Sequence, residues 1–169
     1  MYDVEKHNNL LSLLGLALLN AQALEYSIVT LFAINKLLID GKWSKDIRNL
    51  MKSKYKQTLG KLLNDVSKKI KLKSDLESRL FEALKMRNWV VHNYFREFAP
   101  VIASNIIRDK ATKKLYKTAL FFEQVSDEIN EINFKLMQQS GRSGEDIIEN
   151  IKVTVKSYLD AKEKEVDCP

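Results

Sequence analysis

Arg87, Asn88 and His92 stand close together in "KMRNWVVHNYFREF", residues 85–98. A guanidinium offers a planar fork of donors that fits two phosphate oxygens at once. An imidazole titrates near neutral pH, so it can take a proton in one step and return it in another. The two together suit proton transfer at a phosphoryl group, with fixed positive charge where negative charge develops. Their surroundings are apolar. Leu76, Leu80, Leu84, Val91, Phe95 and Phe98 set out a helical stripe in which Arg87 takes a slot fit for leucine. An unpaired guanidinium is costly to bury, so Arg87 must meet an anion or open onto a cleft. Glu25, a carboxylate in the apolar middle of the first long segment, is the candidate internal partner.

The spacing poses a problem. His92 lies five residues after Arg87, about 140° around an ideal helix. Its own face carries Asn88 and Arg96, each four residues away, while Tyr94 nearly superposes on Arg87. A straight helix does not point Arg87 and His92 at one spot. Either the helix is distorted near Asn88 and Trp89, or a second copy of the chain completes the cluster across a two-fold axis.

R-N-x-x-x-H in a late helix of an all-α chain resembles the HEPN superfamily (higher eukaryotes and prokaryotes nucleotide-binding domain). Its nuclease branch carries Arg, a polar residue directly after it, a short spacer and His, matched here by Arg87, Asn88 and His92. The extension to R-x-x-x-x-H-x-Y looks like the toxins of HEPN–nucleotidyltransferase toxin–antitoxin pairs. "TLGKLL" and "AQALE" also look like segments of stand-alone HEPN proteins. The specific motif spans only eight residues. The resemblance implies a homodimer and metal-independent cleavage of RNA, in which the 2′-OH attacks its neighbouring phosphate. His92 would act as acid or base, Arg87 as transition-state stabiliser, and Asn88 would orient His92 or the phosphate. Lys85 and Arg96 would hold flanking phosphates. Tyr94 would be the residue a nucleotidyltransferase antitoxin modifies with AMP. No cofactor is implied.

Each residue also has a plainer reading. Arg87 can be a structural partner of Glu25, His92 an interface histidine and Tyr94 core packing, because perturbed ionisable groups also occur in purely structural networks. Three functions follow: an endoribonuclease, a non-catalytic HEPN-like protein binding a nucleotide, nucleic acid or partner protein, and a helical scaffold that uses its charge on nucleic acid. The charge is concentrated. From Lys42 to Lys73 eleven basic residues face only Asp46 and Asp65, a net +9 against +6 for the whole chain. Such a run attracts polyanions, and it equally serves as a solvated face.

These residues must be positioned by helices. The 169 residues suffice for one core, and 45% apolar with 30% charged residues is ordinary for a folded chain. Pro100 is the only internal proline, and no alternating runs of β-branched residues argue for strands. The expectation is an all-α antiparallel bundle of about five to six helices, a single domain over residues 1–163 with a frayed tail at 164–169. The first helix should cover about residues 5–39, with Leu10, Leu14, Ala17, Ala21, Leu24, Ile28, Leu31 and Leu38 on its buried face and Gly41 ending it. Ser74 reads as an N-cap with Glu77 three residues on, and 99–104 as irregular. A long helix reaches about Gln139 with Leu115, Ala119, Phe122, Val125, Ile129, Ile132 and Leu136 inward, and a last one starts at Ser143 or Gly144.

"LLSLLGLALLNAQA" resembles a secretory h-region followed by a small-residue cleavage site. However, the preceding "MYDVEKHNN" is not basic, and the apolar rhythm runs on through that site. Asn20, Gln22 and Glu25 interrupt it before a membrane span accumulates. With one cysteine, Cys168, and two distant histidines, His7 and His92, neither an internal disulfide nor a zinc spacing arises. The expectation is a cytoplasmic protein that needs no metal and no membrane.

Overall fold

A computed structural model describes residues 4–98, 105–141 and 143–166, and all regular structure among them is helical. The elements are α1 (Val4–Asp40), α2 (Lys45–Tyr55), α3 (Leu59–Lys69), α4 (Ser74–Asn88), a π-helical turn (Trp89–Asn93), α5 (Tyr94–Phe98), α6 (Asn105–Gln139) and α7 (Gly144–Val166). Among the described residues there are seven α-helices rather than five or six, because the segment expected as one rod is divided by the π turn into α4 and α5. The irregular stretch expected at 99–104 lies outside the described residues. The tail expected to fray from residue 164 is helical as far as Val166.

Local chemistry sets the helix ends. Gly41 closes α1 with φ +68°, the left-handed conformation that glycine adopts without Cβ strain. Ser44 caps α2 by accepting the Ile47 N–H at 3.4 Å. Thr58 likewise accepts the Lys61 N–H at 3.4 Å at the head of α3. Ser74 is not the cap of α4. Lys73 takes that position in extended conformation without a side-chain bond, and its carbonyl accepts the Glu77 N–H at 3.0 Å. Asp75 and Glu77 in the first turn instead oppose the positive end of the helix dipole.

The chain packs as two units. The first comprises Met1–Glu25 and Leu63–Glu128. Its core joins Leu10 and Ala17 of α1, Val90, Tyr94 and Phe98 of the π turn and α5, and Ala111, Leu115 and Ala119 of α6. Asn20 fixes the approach of α1 to α6 by donating to the Ala119 carbonyl at 3.0 Å. Arg79 pairs with Glu128 in the same unit.

The second unit comprises Tyr26–Leu62 and Ile129–Pro169. Here α1 changes character. Ser27 to Ile34 are all buried, so the helix is surrounded rather than one-sided. Leu37, not Leu38, continues the fully buried set. Ile47 and Met51 of α2 and Ile147 and Ile151 of α7 are also buried, and α2 packs on α7. By length and composition α1 could cross a membrane, yet 61% of its most apolar stretch is covered by the protein itself.

Candidate functional site

The stripe that carries Arg87 runs Leu76, Leu80, Ala83, then Val90, Tyr94 and Phe98. Arg87 occupies its expected slot, but Val91 does not continue it: Val91 is 43% exposed, and Val90 is buried instead. Leu84 is half-buried. The reason is the wide turn. The Tyr94 N–H bonds to the Trp89 carbonyl, five residues back, where an α-helix would reach back four. Tyr94 and Phe98, seven and eleven residues after Arg87, remain on the inner side.

The same widening acts on the Arg87–His92 spacing. An i→i+5 bond stacks residues five apart much as an i→i+4 bond stacks residues four apart, so the turn rotates His92 back toward the side of Arg87 and Asn88. His92 and Asn88 are exposed and Arg87 is partly open. No hydrogen bond links His92 to Arg87 or Asn88 among the described residues. Arg87 is committed elsewhere. Its Nε lies 3.6 Å from Glu25 Oε1, with both side chains 28% exposed, and its Nη1 donates to Asn88 Oδ1 at 3.5 Å. Burial pushes the Glu25 pKa above the ordinary carboxylate range, and the guanidinium pulls it only partway back.

Lys85 and Arg96 are exposed on either side of the turn. Tyr94 is 1% exposed, edge-on to Trp89 at 5.6 Å and tilted against Phe98 at 5.4 Å. Burial raises its pKa to about 12. Its hydroxyl is inside the packed core, so the role of acceptor for a modifying enzyme does not follow from this conformation.

A clasp unforeseen in the sequence holds the turn. Trp89 Nε1 donates to Glu97 Oε2 at 2.5 Å. Lys114 of α6 donates to Glu97 Oε1 at 3.3 Å and places its ammonium 3.7 Å from the centre of the Trp89 ring. The Trp89 bond, and then Lys114, hold the Glu97 carboxyl below its usual pKa. Eight residues separate Trp89 from Glu97, and regular α periodicity gives no reason to pair them.

The basic run divides. Lys54 is buried, its Nζ 4.3 Å from the Phe32 ring centre and donating to Gln57 at 3.4 Å, so it is not part of a charged surface. Lys42, Lys45, Arg48, Lys56 and Lys61 are exposed in the second unit; Lys68, Lys69, Lys71 and Lys73 are exposed in the first. Lys68, Lys69 and Lys71 border a shallow hollow of about 400 Å³ with Ser67 and Glu77. No group of His, Cys and carboxylate residues able to hold a metal ion occurs among the described residues.

No family model, no curated protein and no solved structure matches this chain.

Proposed function

We propose that the chain is a HEPN-like antiparallel helical bundle acting as a metal-independent endoribonuclease, a toxin or phage-defence effector of the cytoplasm. One observation carries this reading. A π turn follows Arg87 and Asn88 directly and contains His92; His92 and Asn88 are exposed and Arg87 is partly open, beside the buried Val90 and Tyr94. Wide turns of this kind occur often at functional sites.

In this reading two chains contribute Arg87, Asn88 and His92 to one composite site. A base removes the proton from a ribose 2′-OH, the oxygen attacks the adjacent phosphorus, and the 5′-oxygen leaves with a proton from the acid, giving a cyclic phosphate. Histidine serves the proton transfers, and arginine stabilises charge on the phosphoryl oxygens. Glu25 holds Arg87 in place until phosphate competes for it. Lys85, Arg96 and the exposed lysines at 68–73 attract the RNA backbone. A nucleotidyltransferase antitoxin is the expected partner. The test is RNA cleavage with chelator present, comparing wild type, His92→Ala and Arg87→Ala, with end-group analysis and the mass of the species in solution. Cyclic phosphate ends made by a dimeric wild type and lost in both variants support the proposal; equal cleavage by all three overturns it.

The Arg87–Glu25 ion pair favours a second reading, a non-catalytic helical protein whose Arg87 serves the fold. That reading expects Arg87 and Glu25 substitutions to change stability while no RNA is cut under any condition.

A further inference from the structure

The second unit contains a hollow of about 330 Å³ lined by residues of α1, α6 and α7. Among its lining residues Tyr26, Phe134 and Ile148 are 39%, 58% and 44% exposed, so apolar and aromatic surface of the hollow is open to solvent. Its size is at the lower end for small-molecule sites and suits one or two fused rings. The lining holds no charged side chain. A bound carboxylate, phosphate or ammonium would therefore be desolvated without a counter-charge, which excludes ions as the buried portion.

Two polar side chains lie within this apolar lining. Asn133 is 3% exposed, and its Nδ2 donates to the Ser27 carbonyl at 3.0 Å. That bond fixes the amide orientation, because only the NH₂ end can meet a carbonyl. Oδ1 is consequently turned away from Ser27, and it has no hydrogen-bond partner among the described residues. Thr30 is 8% exposed, and its hydroxyl, facing Tyr26, also closes no hydrogen bond of ordinary geometry. A buried acceptor without a donor costs stability, so such atoms call for an explanation. Asn130 adds an exposed amide at the mouth.

We propose that this hollow is a binding site for a small, neutral, planar heteroaromatic molecule with an N–H donor. The ring lies against Tyr26 and Phe134, and the N–H satisfies Asn133 Oδ1. The oxygen is covered in the empty site, so seating the ligand requires one side chain to move aside. Met137, unbranched and adaptable, is the lining residue suited to that. The site does not depend on Arg87 or His92 and stands whether or not RNA is cut.

The experiment titrates the ¹⁵N-labelled protein with indole, with benzothiophene, which has a similar shape but no N–H, and with indole-3-acetate, which adds a charge. Saturable shifts at the Asn133 side-chain amide and the 26–30 and 130–137 backbone are expected with indole. Benzothiophene should bind about tenfold more weakly, the value of one well-made buried hydrogen bond. Indole-3-acetate, whose carboxylate finds no counter-charge, should also bind more weakly than indole. Asn133→Leu should abolish the preference for indole. Because that variant also loses the Ser27 bond and can fail to fold, Ile148→Trp provides a second test, filling the mouth from an exposed position and blocking binding. Equal binding of indole and benzothiophene, no saturable shift at these residues, or undiminished binding by Ile148→Trp overturns the proposal.

Discussion

Arg87 Nε and Glu25 Oε1 stand 3.6 Å apart, joining α4 to α1 through two charges that are each largely covered. The raised Glu25 pKa shows that burial costs its charged form more than the guanidinium returns. A neutral isostere should therefore be tolerated. Glu25→Gln is expected to change stability near neutral pH by less than about 1 kcal/mol, in the stabilising direction. The sign with pH follows. A carboxyl whose folded pKa is raised destabilises when ionised, and this cost fades as pH falls through the raised value toward 4.5. Urea unfolding across that window should show wild type gaining on Glu25→Gln as acid is added.

Removing the other partner should act differently. Arg87→Met leaves Glu25 buried with no cation beside it. Loss of about 1–2 kcal/mol is expected near neutral pH, recovered in acid as the carboxyl protonates. A double-mutant cycle with Glu25→Gln should show coupling between the two changes.

His92 is exposed and closes no hydrogen bond with the described residues. His92→Ala should leave the unfolding midpoint within about 0.5 kcal/mol of wild type. If His92 transfers protons, cleavage should fall by about 10²–10⁴-fold in the same preparation. Fluorescence-monitored denaturation alongside a cleavage assay separates the two quantities.

Tyr94 gives an alkaline signature. Its folded pKa of about 12 lies above the ordinary 10.0, so its contribution to stability is complete below pH 10 and is lost as pH rises toward 12. Tyr94→Phe should lack that loss. The two proteins should diverge in thermal melts between pH 10 and 12, by roughly 2 kcal/mol at the upper end.

The Trp89–Glu97–Lys114 clasp should be felt locally. Glu97→Gln is expected to speed amide hydrogen exchange at Val90–Tyr94 while the rest of α4 and α6 stays protected. Because Glu97 has a lowered pKa, its contribution is present above the ordinary value of 4.5 and disappears as pH falls through the depressed one. Wild-type exchange in this segment should therefore quicken in acid more than the intrinsic rate allows. Unchanged exchange would show that the clasp does not hold the turn.

Much of the helical content can be read from the sequence, since the apolar spacing of α1 and α6 and the turn at Gly41 are local properties. On α6, Leu115 to Ile129 are buried as spaced, but Asn133 replaces Ile132 and Leu136 at the end of the stripe. A buried asparagine depends on the Ser27 carbonyl, 106 residues earlier, and no periodicity encodes it. A guanidinium in an apolar stripe and a carboxylate in an apolar helix are likewise visible as charges in need of partners. The Arg87–His92 spacing indicates a distorted helix or a second chain. It does not announce the π turn itself, whose wide hydrogen bond lies beside the packed Tyr94 and Phe98 and the clasp. The basic run is legible as charge alone; that Lys54 turns inward over Phe32 is tertiary.

A π turn amounts to a helix carrying one surplus residue. Deleting a single amino acid between Trp89 and Asn93 would take out that surplus and let the rod become regular, with the residues beyond the cut keeping nearly the register they have now. Tyr94 and Phe98 would stay in the first unit's interior. The irregular geometry around His92 is thereby separable from the anchoring of α5, and a lineage could shed the one while keeping the other.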